Sequence, residues 1–333
     1  TNTFRISRPS TKLIFYITLK RKTSLDIGTD HDGGYAKPQK PWTSPYQRTY
    51  LALMETVPFT KMHGLGNDFV VLDDRDGRLA VGEDEARAIG DRRKGVGFDQ
   101  LLILEPPQHP DAHVFMRVRN PDGSEAEACG NGTRCVAART MDELGSNRLN
   151  VETVAGVLEA TRGADGLVTV DMGPANLEWC DIPLAKPCDT LHLDIANGPL
   201  VDPVAVNIGN PHMVFFVDDA DTIDLGALGP KLEHHPLYPE RTNVEVASVL
   251  GPDKVRMRVW ERSAGITQAC GSGACAVSVA ASRRGLTGRK VEVILDGGSL
   301  IIEWRDDGRV LMTGPTAISF EGRLNPSLFI DDA

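Results

Sequence analysis

The sequence predicts a mixed α/β protein built as two similar lobes, with strands predominating around two central helices. Three observations carry this. First, Ala128-Cys129-Gly130-Asn131-Gly132 returns as Ala269-Cys270-Gly271-Ser272-Gly273, each time ahead of an alanine-rich, helix-forming run. Second, the surroundings repeat. At an offset of 141 residues Met116-Arg117-Val118 falls on Met257-Arg258-Val259 and Val136 on Val277. Near an offset of 143 Gly66-Asn67 falls on Gly209-Asn210 and Asp99-Gln100 on Thr242-Asn243. A unit used twice makes two lobes, whereas a solenoid needs several short repeats. Third, short apolar or alternating runs broken by Gly, Pro, Asn and Asp fill the rest of the chain, the pattern of strands and turns.

Residues 1–56 stand apart and read as a disordered or non-native extension. Through Leu53 they hold nine Lys or Arg and three Asp, with many Ser and Thr. Leu13-Ile14-Phe15-Tyr16-Ile17 is too short to span a bilayer, and a transit peptide is the minor alternative. Residues 57–172 are expected to form the N-terminal lobe, completed by residues from about 314 to 333, and residues 173–313 the C-terminal lobe. Organised sequence starts at Phe59, where Thr60 to Leu72 reads as a turn feeding a strand. Gly82 to Asp91 reads as a helix with acidic residues at its start. Leu101 to Leu104 and His113 to Arg119 read as strands, and Asn120-Pro121-Asp122-Gly123 as a turn before the first cysteine helix. Val151 to Met172 reads as strands broken at Gly156 and at Gly163 to Gly166. The second cycle follows: strands at Val204 to Ile208 and Met213 to Val217, a helix at Leu225 to Leu232, and strands at Val244 to Val249 and Val255 to Glu261. After the second cysteine helix come strands at Val291 to Leu295, Leu300 to Trp304 and Val310 to Thr313.

Composition narrows the class. A length of 333 residues allows about two domains, and 41% hydrophobic with 25% charged residues is ordinary for a globular chain. A net charge of -10 argues against a general nucleic-acid binder, and no apolar run reaches transmembrane length. The six cysteines include no Cys-x-x-Cys pair and no zinc-finger spacing. A chain this long does not need a disulfide framework, so a reduced, cytoplasmic setting is expected and no metal site is read from the sequence.

The two glycine-rich cysteine turns carry the chemistry. A helix N-terminus offers N–H groups without intrahelical acceptors and a partial positive charge, so it suits an anion. A cysteine there is expected to have a lowered pKa. Two equivalent lobes would set Cys129 and Cys270 on opposite sides of one cleft, which suits a reaction needing the same chemistry on both faces of one carbon.

The chain resembles the diaminopimelate epimerases, of the cofactor-independent amino-acid racemase type, from about Phe59 to Phe320. The motifs that carry the resemblance are Lys61-Met62-His63-Gly64-Leu65-Gly66-Asn67-Asp68-Phe69, Gly97-Phe98-Asp99-Gln100, Arg119-Asn120-Pro121-Asp122-Gly123-Ser124, Gly209-Asn210-Pro211-His212, Arg241-Thr242-Asn243, Glu261-Arg262 and the two cysteine turns. The resemblance implies two pseudo-symmetric lobes, each a β-barrel-like sheet wrapped round a central helix, with the site in the cleft between them. It implies interconversion of LL- and meso-diaminopimelate on the way to lysine and peptidoglycan, with one cysteine removing the α-proton as thiolate and the other donating one as thiol. Cys129 and Cys270 match those positions, and His212 and Glu261 match positions that tune the pair. Asn67, Gln100, Asn120, Asn210, Asn243, Glu261 and Arg262 match substrate-binding positions. Gly130, Asn131, Gly271 and Ser272 match those holding the reacting carboxylate. Diaminopimelate is the expected small-molecule partner, no cofactor, nucleic acid or membrane is expected, and the assembly is expected to be a homodimer. The chain departs from the family at Ser263 and Ile266, where the family usually has Gly and Glu.

Blander readings stand beside these. Cys135, Cys275, Cys180 and Cys188 read as small buried hydrophobes, and His63 as structural. His234-His235 reads as a solvated surface pair. The asparagines suit turns as well as ligands, and recurrence of Asn67 at Asn210 favours ligand contacts. The planar fork of Arg262 suits a distal carboxylate better than a surface ion pair. Rival functions are a related isomerase of proline-racemase or phenazine type, and a non-enzymatic module holding an anion between two helix ends. The second does not explain why both cradles carry cysteine. No Schiff-base lysine with a phosphate loop stands out for a pyridoxal-phosphate racemase.

Overall fold

A computed structural model describes residues 56–126 and 129–329; apart from Thr56, the extension expected at residues 1–56 lies outside the described residues. In chain order the elements are β1 Val57–Gly64, β2 Asn67–Asp73, α1 Glu83–Gly90, β3 Gln100–Glu105, β4 Val114–Arg119, β5 Glu125–Ala126, α2 Gly130–Leu144, β6 Arg148–Thr153, β7 Gly156–Arg162 and β8 Val168–Pro174. There follow β9 Ala196–Asn197, β10 Leu200–Val201, β11 Val204–Asn207, β12 Pro211–Phe216, α3 Leu225–Glu233, β13 Asn243–Gly251, β14 Lys254–Glu261, β15 Gly265–Ile266, α4 Gly271–Arg283, β16 Lys290–Leu295, β17 Gly298–Trp304, β18 Arg309–Gly314 and β19 Ala317–Leu324. Short 3-10 turns sit at Ala220–Thr222 and Pro326–Phe329.

The sheet pairing repeats step for step. β1 and β2 are antiparallel, β2 and β3 parallel across α1, β3, β4 and β5 antiparallel in turn, β4 and β6 parallel across α2, and β6, β7 and β8 antiparallel. β11 to β18 follow the same scheme, with α3 and α4 in the two crossovers. The fold is therefore α+β, rich in strands, and duplicated. The two halves join where β8 pairs antiparallel with β18, and β19 returns to pair with β1.

Each sheet curls round its own helix. α2 packs on β1, β2, β3, β6, β7 and β8, and α4 on β11 to β14 and β16 to β18. Both helices are buried along most of their length; α4 is accordingly alanine-rich rather than amphipathic, while α2 buries Arg134 and Met141 as well as Ala137 and Ala138. α2 stops at Gly145, whose φ of 63° is the left-handed cap that glycine adopts without strain.

Strand alternation assigns two layers. Phe69, Val71, Leu102 and Leu104 of β2 and β3 point at α2, within a core that continues round α4 through Val214, Ala247, Val277 and Met312. Val70, Leu72, Leu101 and Ile103 point outward beneath α1 with Ala86 and Ile89. Their equivalents Met213, Phe215, Val244 and Val246 point outward beneath α3 with Leu225 and Leu232. Each such fully buried side chain is worth roughly 1.5–3 kcal/mol.

Two readings of the sequence are corrected. Thr60 to Gly64 is strand, not turn; only Leu65 and Gly66 turn, with φ of 57° and 84°. Lys61 and His63 break the apolar pattern there, and Lys61 is buried because its ammonium pairs with Asp68. Cys180 is exposed and Cys188 half-buried, not core hydrophobes, whereas Cys135 and Cys275 are buried. No helix among the described residues is long and apolar enough to cross a membrane.

The halves also meet at a close backbone approach. A Cβ on Gly297 would lie 1.8 Å from the Leu65 carbonyl oxygen, and the Gly297 N–H donates to the Gln268 carbonyl. Gly297→Ala is expected to cost about 1–3 kcal/mol by overpacking. Gly288→Ala, whose nearest neighbour would be 3.9 Å away, should stay within about 0.5 kcal/mol of the parent. Urea midpoints of the two variants check the contrast, and equal midpoints would contradict it.

Candidate active site

Each sulfur sits at the N-cap of its central helix. Cys129 and Cys270 have extended backbones (φ -145° and -114°), so each side chain folds back over the first helical turn. The Gly132 N–H donates to Cys129 Sγ at 3.3 Å and the Gly273 N–H to Cys270 Sγ at 3.4 Å. Cysteine here takes the place of a Ser or Asp cap. Ser272 Oγ adds a contact to Cys270 Sγ at 3.6 Å. Cys270 is buried and Cys129 half-buried.

One methionine shows that the helix starts face each other. A Cβ on Gly130 would meet Met312 Cε at 2.8 Å and Met172 Cε at 3.0 Å. A Cβ on Gly271 would meet Met312 Sδ at 2.8 Å and Asn131 Oδ1 at 3.1 Å. Glycine at both first positions leaves room for the shared side chain between the termini. Asn131 ties the same place together: its Nδ2 donates to Asn67 Oδ1 and to the carbonyl of Ala269, each at 3.1 Å.

The other expected ligands form two groups. In the first half Asn67 Nδ2 donates to Asp99 Oδ2 at 3.0 Å, and Asn120 Nδ2 donates to Ser124 Oγ at 3.0 Å. Gln100 Nε2 reaches Asn120 Oδ1 only at 3.5 Å. In the second half Asn210 Oδ1 lies 2.9 Å from His212 Nε2. Asn243 donates to the Pro211 carbonyl at 3.0 Å and accepts the Arg262 N–H at 2.9 Å. The Arg262 guanidinium donates to the Glu240 carbonyl at 3.2 Å. Glu261 accepts from the Thr267 hydroxyl. The departure at Ser263 lies at φ 65°, a conformation that glycine adopts freely, with Arg241 Nη1 donating to its hydroxyl at 3.2 Å. Ile266 is exposed in β15.

Electrostatics overturn the expectation of lowered thiols. Burial pushes Cys129 up to about 12, against the Gly132 N–H, and the Glu261 carboxylate adds to the rise. Burial pushes Cys270 well above the usual thiol range, with Glu261 and Glu245 adding to it. Burial likewise raises the Glu261 carboxyl. The magnitudes explain the direction. A helix terminus contributes at most about 2 kcal/mol, roughly one and a half pH units at about 1.4 kcal/mol per unit. Full burial is worth up to about 3–5 units. Because Glu261 acts on both thiols, both belong to one electrostatic site.

Glu245 is the residue that the sequence reading missed. It is wholly buried, its Oε1 lies 2.7 Å from His212 Nδ1, and a Cβ on Gly273 would sit 2.9 Å from that oxygen. The signal was present: a glutamate stands in an otherwise apolar inward position of Asn243-Val244-Glu245-Val246-Ala247. Among the described residues no group of His, Cys, Asp and Glu is arranged to hold a metal.

Comparison with known proteins places this geometry. The family model for diaminopimelate epimerase matches residues 59–178 and 204–318. A diaminopimelate epimerase of Rhodospirillum centenum is 61% identical over 270 residues, covering 81% of this chain and 93% of the relative. That of Acidiphilium cryptum is 53% identical over 271 residues, covering 81% and 97%. A solved hydroxyproline epimerase from Agrobacterium vitis shares the fold with a TM-score of 0.59 at 14% identity, covering 82% of this chain and 93% of that one. A phenazine biosynthesis protein from Bacillus anthracis does so at 0.57 and 16%, covering 81% and 99%.

A raised Cys129 pKa leaves the thiol protonated near neutrality. Its thiolate fraction, and its alkylation rate in the substrate-free protein, should then climb about tenfold per pH unit from pH 7 to 9 with no plateau. Mass-spectrometric counting of labelled Cys129 checks this; a plateau below pH 8 would show a lowered thiol.

Proposed function

The chain belongs to the diaminopimelate epimerase family, and from that membership we propose that it interconverts LL-2,6-diaminopimelate and meso-diaminopimelate with Cys129 and Cys270 as the acid–base pair. The observation that carries the proposal is the shared Met312, which touches the positions flanking both sulfurs. The reaction serves lysine and peptidoglycan precursors in this reading.

The substrate's reacting carboxylate would lie between the two helix starts. Because the N–H groups of Gly132 and Gly273 serve the sulfurs, those of Gly130, Asn131, Gly271 and Ser272 remain for it, as helix starts leave their first donors without intrahelical acceptors. Removing the α-proton spreads charge into that carboxylate. One preorganised donor in a dry site is worth roughly 3–4 kcal/mol, so several can offset much of the carbanion's cost. One sulfur accepts the α-proton and the other delivers a proton from the opposite face. The two thiols titrate as a coupled pair, and the acid of Glu261 together with His212 tunes which of them holds the proton. Asn67, Gln100, Asn120, Asn210, Asn243 and Arg262 are assigned to the distal amino-acid head. In the same proposal the first lobe comprises residues 57–172 with 314–333 and the second residues 173–313. The repeated pairing scheme and the β1–β19 pairing support that division. The setting is the cytoplasm and the assembly a homodimer.

Incubation with LL-diaminopimelate and with L-proline, followed by chiral chromatography, tests the substrate. Only diaminopimelate should epimerise; turnover of proline alone would overturn the assignment. Cys129→Ala and Cys270→Ala should each lower kcat by about 10²–10⁴, the worth of a positioned proton-transfer group, with melting temperature nearly unchanged. Near-parent turnover in either variant would contradict a two-cysteine mechanism.

A further inference from the structure

The duplication allows each residue near one sulfur to be compared with its counterpart near the other. At the offset of 143, Phe69 corresponds to His212 and Leu102 to Glu245. The strand register agrees: Phe69 lies opposite Gln100 as His212 lies opposite Asn243. The surroundings agree too. A Cβ on Gly132 would meet the Leu102 methyls at 3.1 Å, where a Cβ on Gly273 would meet the Glu245 carboxylate at 2.9 Å. One apolar pair has been exchanged for a histidine and a glutamate, both 0% exposed. Burying such a pair does not by itself add stability, since apolar residues of similar volume often do as well or better.

The asparagines show what the exchange changes. Asn67, near Cys129, is held at both ends, donating to Asp99 and accepting from Asn131. Its counterpart Asn210 has neither partner, because Thr242 stands in the place of Asp99 and Ser272 in the place of Asn131. Asn210 Oδ1 is held by His212 instead, and His212 by Glu245. We propose that Glu245 is a positioning residue of the epimerase site: it orients the His212 ring, and the ring orients the Asn210 amide so that its Nδ2 donors face the substrate. The arrangement needs two protons on the His212–Glu245 pair: one is held between Nδ1 and Glu245 Oε1, and Nε2–H donates to Asn210 Oδ1. With that oxygen occupied, the amide can offer the cleft only its two N–H bonds, which suit a carboxylate. Glu245 Oε2 is buried without a hydrogen-bond partner among the described residues, so the ring is where the carboxylate makes its hydrogen bond. The inference rests on the proposed function in taking Asn210 to meet the substrate.

The test has two arms. In the substrate-free enzyme, proton NMR should show a low-field imidazole N–H that is absent from His212→Asn. That resonance should move upfield in Glu245→Gln and more strongly in Glu245→Leu, which carries the residue of the other half. An unchanged position in both Glu245 variants would overturn the Glu245–His212 link. In the second arm, kcat and KM for diaminopimelate are measured in Glu245→Leu, Glu245→Gln, Asn210→Ala and the Glu245→Leu/Asn210→Ala double variant. Glu245→Leu should lose about tenfold or more in kcat/KM, mainly through KM, with Glu245→Gln recovering part of the loss. The double variant should be no worse than Asn210→Ala alone, as expected of residues acting in series. Losses that multiply, or a folded Glu245→Leu within twofold of the parent, would overturn the proposal. If Glu245→Leu does not fold, Glu245→Gln decides by the same criteria in both arms. A parent inactive on diaminopimelate would sink the proposed function, while the NMR arm would still decide the role of Glu245.

Discussion

The site depends on two helix N-termini being brought up to one methionine side chain. Met312 reaches both Gly130 and Gly271, and a Cβ at either position would have to displace its thioether end. The rest of the architecture serves that approach. Helices that start this close need small residues there, so α2 begins Gly130-Asn131-Gly132 and α4 begins Gly271-Ser272-Gly273. Helices buried along most of their length need their own sheets around them, and two wrapped helices need a seam, which β8 and β18 supply. Asn131 then crosses between the halves to reach Ala269.

Enclosure has an electrostatic consequence. The same burial that closes the helix starts on each other raises both thiols and the Glu261 carboxyl. A raised thiol is a poor resting nucleophile but a stronger base once deprotonated, which suits removal of a weakly acidic α-proton. Low local polarity also strengthens each N–H aimed at the developing charge. The enclosed site therefore trades thiolate population for stabilisation of the carbanion. Buried polar groups tune this balance unequally: His212 and Glu245 stand at the start of the Cys270 helix, where a Cβ on Gly273 would meet the Glu245 carboxylate, while their counterparts in the first half are Phe69 and Leu102.

Much of this was legible in the sequence because duplication shows itself as recurrence. Cys129 and Cys270, their glycines, and Asn67 with Asn210 announce themselves by returning at fixed offsets. Strands with clean alternation, such as β6 to β8 and β16 to β18, were equally plain. What failed had no local signature. β1 carries a buried lysine made tolerable by Asp68, a partner that strand pairing brings alongside. β19 is mostly exposed and was not anticipated, since its Ala-Ile-Ser-Phe-Glu-Gly-Arg-Leu run shows no buried face. The direction of the thiol shifts depends on burial, which a helix-terminus argument does not contain. Glu245 escaped because recurrence draws attention to what is kept, and Glu245 matters as a place where the second half differs from the first.

The central claim is that two sulfurs address opposite faces of one carbon. Early-time isotope incorporation in deuterated water tests it most directly. Starting from LL-diaminopimelate, the meso product should carry deuterium at the inverted α-carbon, while the remaining LL substrate keeps its protium. That pattern arises because the proton removed by one sulfur is not the one returned by the other. Deuterium appearing in recovered LL substrate as fast as in product, or protium carried across to the product, would mean that a single group serves both faces and would contradict the account.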